Sequence, residues 1–311
     1  MPDIATREGY GKGLLKVGKK NKDVVALDAD LADSTKSLVF GKEFPDRFFN
    51  MGIAEQDMIG AAAGLAASGK IVFASSFAIF SERAFEFFRN TCARPNLNVK
   101  LCGSHAGFKT GEDGSSAQCV EDLAIYRALP NVVVISPADA VETEKAVEFL
   151  TKYKGPSYMR TTRAKVPTIF DDNYKFELGK GVVVRKGKDA VIFATGPMVN
   201  ESMIAAEQLE KDGINVYVVN IHTIKPIDKE LVTKLAKETG VVISAEDHNV
   251  IGGLGSAIAE VLSQECPTTL TMIGIKDTFG ESAKPDELYE KYGLSSKNIV
   301  KTVKSAVGRS K

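Results

Sequence analysis

The chain is short of the residues that build metal and disulfide sites. Its four cysteines, Cys92, Cys102, Cys119 and Cys266, form no CxxC pair and no zinc spacing, so they read as buried, reduced, small apolar side chains. Three histidines, His105, His222 and His248, are too few for a metal site made of histidine alone, and no metal ligand is assigned. Neither sign of charge is in excess: 40 Lys and Arg stand against 40 Asp and Glu, which argues against nucleic-acid binding and a polybasic membrane contact. No apolar run approaches the roughly 20 residues that span a bilayer. The start, Met1-Pro2-Asp3-Ile4-Ala5, lacks the charged-then-apolar layout of a secretory signal, and a cytoplasmic location is expected. Internal repeats and low-complexity segments are also missing.

What is present is the composition of a globular protein, 44% apolar and 26% charged over 311 residues, long enough for two domains. Short Val/Ile-rich runs alternate with amphipathic stretches, the mark of an α/β protein with parallel or mostly parallel sheets covered by helices. Expected strands in the first half are Asp23–Leu27, Ile71–Ser75, Val99–Leu101, Val132–Ile135 and Ser157–Arg160. Helices are expected at Thr6–Lys20, Glu55–Ala67, Glu82–Cys92, Val120–Ala128 and Ala140–Lys152. The alternation lapses between Pro167 and Lys180, where Asp171-Asp172-Asn173 is prone to turn. We therefore expect domains over 1–170 and 181–311 with a linker at 171–180. In the second domain strands are expected at Gly181–Val184, Ala190–Ala194, Asn215–Val219, Val241–Ala245 and Leu270–Ile273. Its expected helices are Met198–Lys211, Lys229–Glu238 and Gly255–Glu265.

The run Phe48-Phe49-Asn50-Met51-Gly52-Ile53-Ala54-Glu55-Gln56 feeds one carboxylate into a segment with almost no side-chain bulk: Gly60, Ala61, Ala62, Ala63, Gly64, Ala66 and Ala67. Such a helix lets another backbone or a flat ligand come close. Glu55 at its head either complements the helix dipole, the reading favoured in isolation, or serves in proton transfer. Phe77 and Phe80 after the Ile71–Ser75 strand are ordinary core by spacing, or offer a ring face to a planar heterocycle. The stretch from Gly103 to Gly114 follows a buried strand with four glycines, His105, Glu112 and Asp113, and suits hydrogen bonding to a polar substrate or a flexible connector. Arg160, Arg163 and Lys165 are either a phosphate grip or a solvated basic patch. Gly252-Gly253-Leu254-Gly255 resembles a phosphate-cradling turn but falls short of the dinucleotide fingerprint, so a tight turn into a helix is the better reading, with His248 structural.

Together these motifs resemble the carboxy-terminal half of the transketolases, a thiamine-diphosphate family. The resemblance covers essentially the whole chain in order. It starts at Ile4-Ala5-Thr6-Arg7 and Ala26-Leu27-Asp28-Ala29-Asp30-Leu31. It runs on through Gly52-Ile53-Ala54-Glu55-Gln56, Gly103-Ser104-His105, Gly111-Glu112-Asp113-Gly114 and Arg160-Thr161-Thr162-Arg163. Ser244-Ala245-Glu246-Asp247-His248 and Gly252-Gly253-Leu254-Gly255 continue it. It implies a pyrimidine-binding domain and a smaller C-terminal domain, and transfer of a two-carbon ketol unit between sugar phosphates. By the same resemblance Glu55 hydrogen-bonds N1′ of the cofactor's aminopyrimidine, Phe80 stacks on that ring, Phe77 lines the pocket and Asp30 lies beside the cofactor. Glu55 and His105 would be catalytic; His105 and Asp113 would meet sugar hydroxyls, and Arg7, Ser34 and Arg163 would hold the terminal phosphate. Ala117 departs from the His or Gln of relatives. No Gly-Asp-Gly turn for the Mg²⁺ and diphosphate half of the site is present. This implies a partner subunit carrying that half, in an α2β2 heterotetramer. The β subunit of a 2-oxo-acid dehydrogenase, a half of deoxyxylulose-phosphate synthase, or a non-catalytic α/β scaffold are the alternatives.

Overall fold

The computed structural model describes residues 2–309. The chain divides into two compact units: one runs to Ala106 and resumes over Ile125–Phe176, while the other takes Gly107–Ala124 and continues from Glu177. The break at Phe176 falls inside the segment 171–180, expected as the linker. The assignment of 107–124 to the second unit has no counterpart in the hydropathy pattern, which reads only local periodicity.

Six strands of the first unit run parallel in the order Val133–Ile135, Ser157–Arg160, Val99–Ser104, Ile71–Phe77, Val24–Asp28 and Phe48–Asn50. Val24–Asp28 and Val99–Ser104 are buried at every position, as strands covered by helices on both faces must be. The helix Thr6–Lys20 turns Tyr10, Leu14 and Val17 inward and packs along Ala140–Leu150. The approach is close enough that a Cβ added at Gly9 would overlap the Ala140 carbonyl. Lys12 and Lys16 then reach Glu144 at 2.8 Å each. Asp139 caps the second helix by accepting Glu142 N at 2.8 Å, and its other oxygen accepts Ile169 N and Phe170 N at 2.7 and 2.8 Å.

The second unit holds a five-stranded sheet in the order Leu270–Ile275, Val242–Asn249, Ala190–Ala194, Val216–Asn220 and Val182–Arg185; only the last strand is antiparallel to its neighbour. Helices Met198–Lys211, Lys229–Thr239, Leu254–Glu265 and Ser296–Arg309 belong to it. Two buried carboxylates fix its loops. Glu246 accepts Leu254 N and Gly255 N at 2.7 and 2.8 Å, and Asp247 accepts Phe108 N and Lys109 N at 2.8 and 3.2 Å.

Sequence periodicity locates Thr6–Lys20, Glu55–Ala67, Ser157–Arg160, Ala190–Ala194 and Met198–Lys211 at their observed bounds. It fails at Glu82–Cys92, which is a 3-10 turn, a short α turn and a π-helix in succession. It also passes over the short strand Phe48–Asn50 and the helices Pro285–Lys291 and Ser296–Arg309. The last of these buries Ile299, Val303 and Val307, an i, i+4, i+8 signal that was there to be read. No described helix is long and apolar enough to cross a membrane.

Gly9→Ala is expected to lower stability by about 1–3 kcal/mol, because backbone and not a flexible side chain would have to move. A chemical denaturation midpoint equal to the parent's would contradict this reading of the helix pair.

Candidate functional site

Ligands of parallel α/β sheets gather beyond the carboxyl ends of the strands, and there the first unit opens a cleft of about 310 Å³. Three strand-to-helix connections wall it. Ala29, Asp30 and Leu31 follow Val24–Asp28; Ile53 and Glu55 follow Phe48–Asn50; Phe80 and Arg83 follow Ile71–Phe77. Asn50 ties the first two connections together: its Oδ1 accepts Asp30 N and Gly52 N, each at 3.1 Å, and its Nδ2 donates to Asp30 Oδ1 at 3.2 Å.

Glu55 is the first residue of its helix and only 2% exposed. Its Oε2 is buried without a hydrogen-bond partner. Arg83 Nη1 stands 3.7 Å from that oxygen, an ion pair too long for a hydrogen bond, on a side chain that is 64% exposed. Leaving a buried carboxylate oxygen unbonded costs free energy, so this oxygen is able to accept an N–H or O–H from another molecule. Phe77 and Phe80 are half-buried rather than core; their rings stack at 5.5 Å and 10°, and Phe80 faces the cleft.

Phe77 also stacks on His105, at 3.7 Å and 19°. His105 has a left-handed backbone, φ 60°, which turns its ring out of strand geometry at the end of Val99–Ser104. Its Nε2 lies 3.4 Å from Arg7 Nη1, which also donates to the Ser34 carbonyl at 3.0 Å. Arginine is always a donor, so Nε2 is the acceptor, and Nδ1–H donates to Ser104 Oγ at 2.9 Å. Burial, then the charges of Arg7 and Arg163, pushes the His105 pKa down to about 3. Thr6 and Thr162 align the two arginines: Thr162 N donates to Thr6 Oγ1 at 2.7 Å, one residue away from each. A neutral imidazole near two guanidinium charges is chemically able to pair with an anion that carries hydroxyls.

The structure thus brings Glu55, Asp30 and Phe80 into one cleft, and links it through Phe77 to His105, Arg7 and the Ser34 backbone. Asp113 belongs to the second unit, exposed at the end of Phe108–Asp113. Gly252–Gly255 is a helix-entering turn in which Glu246 accepts Leu254 N and Gly255 N and Ser256 Oγ accepts Gly252 N, so these donors are already engaged. His248 is fully buried beside it. Sequence reasoning missed Arg83 and Asn50: an exposed arginine and a short-strand asparagine carry no motif of their own.

Two family models match, "Transketolase, pyrimidine binding domain" over residues 2–168 and "Transketolase, C-terminal domain" over 179–299. A protein of Methanocaldococcus jannaschii named as a transketolase C-terminal section is 49% identical over 301 residues, 96% of this chain and 94% of that protein. The transketolase of Rattus norvegicus is 41% identical over 308 residues, 98% of this chain but 49% of the rat protein. A solved structure described as a split gene transketolase, inactive beta4 tetramer, superposes with a TM-score of 0.92 at 50% identity, covering 98% of this chain and 99% of that one.

A histidine with a pKa near 3 in the fold and near 6.5 when unfolded contributes stability in full above 6.5 and loses it as pH falls below. His222, pushed down to about 4 by burial, acts in the same direction. Long-range ¹H–¹⁵N NMR is expected to show His105 as the neutral Nδ1–H tautomer at pH 6; an inflection near 6.5 in its signals would contradict the geometry.

Proposed function

The chain belongs to the transketolase family, and on that premise we propose that it is one subunit of a two-chain transketolase. The reaction is transfer of a two-carbon ketol unit from a ketose phosphate to an aldose phosphate. The observation that carries this reading is the unpartnered, buried Oε2 of Glu55 in a cleft walled by Phe80. The residues fit the pyrimidine part of thiamine diphosphate: Glu55 to hold a ring nitrogen through a hydrogen bond, Phe80 to cover a ring face, Asp30 beside it. When bound, that cofactor supplies the nucleophilic carbon and the electron sink for the carbon–carbon bond chemistry.

Glu55 Oε2 would hold a proton shared with that nitrogen. Arg83, exposed and free to swing, balances the carboxylate until a donor arrives. His105, neutral, orients sugar hydroxyls, a task the resemblance also gives Asp113. Arg7 and Arg163 grip the terminal phosphate, and the Ser34 carbonyl fixes the Arg7 guanidinium. The diphosphate and its Mg²⁺ fall to an amino-terminal transketolase subunit. The absence of a Gly-Asp-Gly turn supports this, as does the likeness to a solved split gene transketolase chain at 50% identity. We assign an α2β2 assembly, in the cytoplasm, in the pentose phosphate pathway.

The isolated chain should fold yet lack activity, and gain it on reconstitution with the partner, thiamine diphosphate and Mg²⁺. Strong turnover by the pure chain would refute the two-chain reading, and CO₂ release from pyruvate without reaction on ketose phosphates would replace transketolase with a 2-oxo-acid dehydrogenase. In the reconstituted enzyme Glu55→Gln should cut kcat by roughly 10²–10⁴-fold. Arg7→Ala should raise KM for a phosphorylated ketose on the order of tenfold or more, the loss of a charge-assisted hydrogen bond, and leave an unphosphorylated ketose nearly unaffected.

A further inference from the structure

The strand Val24–Asp28 ends in a carboxylate that the site described so far does not use. Asp28 is fully buried, and three donors converge on it, all from the segment that follows. Leu31 N–H reaches Oδ1 at 2.6 Å, while the Thr35 and Ser37 hydroxyls reach Oδ2 at 2.7 and 2.8 Å. Both hydroxyl residues are themselves fully buried, so without the carboxylate they would lose an acceptor that water cannot replace.

That short segment supplies both halves of the site. Ala29, Asp30 and Leu31 line the cleft, and the Ser34 carbonyl receives Arg7 Nη1. Its own backbone preferences do not hold it in place. Asp30 and Lys36 sit at φ 62° and 69°, the left-handed region that non-glycine residues avoid, and the only helix between them is the four residues Ala32–Thr35. A conformation with two such residues needs an anchor.

We propose that Asp28 is a positioning residue: its carboxylate pins the 29–37 segment, so that one buried group sets both the Ala29–Leu31 wall of the cleft and the place of Arg7. Burial pushes this carboxyl up to about 6 in spite of the hydrogen bonds from Thr35, Ser37 and Leu31, which pull it down, and the neighbouring charge of Asp30 pushes it further up. An apolar residue would escape that cost but would strand the three donors. The consequence for cofactor and sugar phosphate rests on the function proposed above; the pin does not.

Two substitutions separate the pin from plain packing. Asparagine keeps an acceptor for Leu31 N–H, and its amide can donate to the Thr35 and Ser37 hydroxyls, which rotate to accept. Alanine keeps neither. Amide hydrogen exchange read by mass spectrometry on the chain alone should be faster in peptides spanning 29–37 by about tenfold or more for Asp28→Ala, with the Ile71–Phe77 strand unchanged and Asp28→Asn near the parent. Unchanged exchange in Asp28→Ala, or Asp28→Asn as loose as Asp28→Ala, would overturn the proposal. If Asp28→Ala does not fold, the double variant Thr35→Val/Ser37→Ala removes the donors instead. The same local loosening is then required, and its absence is fatal. In the reconstituted enzyme Asp28→Ala should weaken thiamine diphosphate binding and raise KM for a ketose phosphate together, with Asp28→Asn restoring both. Loosening at 29–37 with neither constant changed would overturn the claim that the pin serves the site, independently of whether the chain is a transketolase subunit.

Discussion

A buried carboxylate must find donors, and this fold satisfies that requirement with its own backbone at most of the places that matter. Asp139 caps a helix and holds residues 169 and 170. Glu142 accepts Ala138 N and the Tyr174 hydroxyl. Glu246 fills the start of the helix Leu254–Glu265, and Asp247 holds the turn at Phe108 and Lys109. Asp139, Glu142 and Asp247 staple segments far apart in the chain, Glu246 a turn to the helix it enters, and each has intramolecular partners. Glu55 is of the same kind but differs in outcome: one oxygen stays unbonded and opens on a cleft. Unlike those four, Glu55 keeps one buried oxygen open to a donor from outside the chain.

The second half of the site follows a different electrostatic rule. Burial removes the water that could stabilise an imidazolium, and the charges of Arg7 and Arg163 add to the effect, so His105 is held neutral. Neutrality preserves one ring nitrogen as acceptor and one as donor, which suits it to hydroxyl recognition rather than to acid catalysis at neutral pH. Phe77, stacked on both Phe80 and His105, connects the apolar cleft to this cationic region by direct ring contact.

Much of this was legible in the primary structure, for identifiable reasons. The parallel sheets announced themselves because strands buried on both faces must be apolar throughout, as Val24–Leu27 and Val191–Phe193 are. Phe77 and Phe80 could not be separated from core by spacing, since burial is decided by what lies opposite. Ser34 was expected at the site, and its carbonyl, rather than its hydroxyl, is what meets Arg7. The π-helix at Phe88–Ala93 broke an expected continuous helix, and no composition rule distinguishes the two. Arg83 belongs to no quoted motif, and Asn50 and Asp28 lie inside quoted runs without a role being readable there, because what each does depends on the partners that folding brings to it.

By itself, the sequence placed His105 and Arg163 after strands of the first sheet and Glu55 at the head of a helix, because strand and helix periods are local properties of the chain; Asp30 and Arg7 entered only through the resemblance. Family membership was readable for the same reason, as motifs in order. What only the tertiary structure decided is which polar groups end up satisfied. Glu246 closes the glycine turn that might have held phosphate, Asp28 meets three donors, and Glu55 Oε2 meets none. Hydrogen-bond satisfaction depends on distances across the fold, and those distances are set by packing rather than by any one segment.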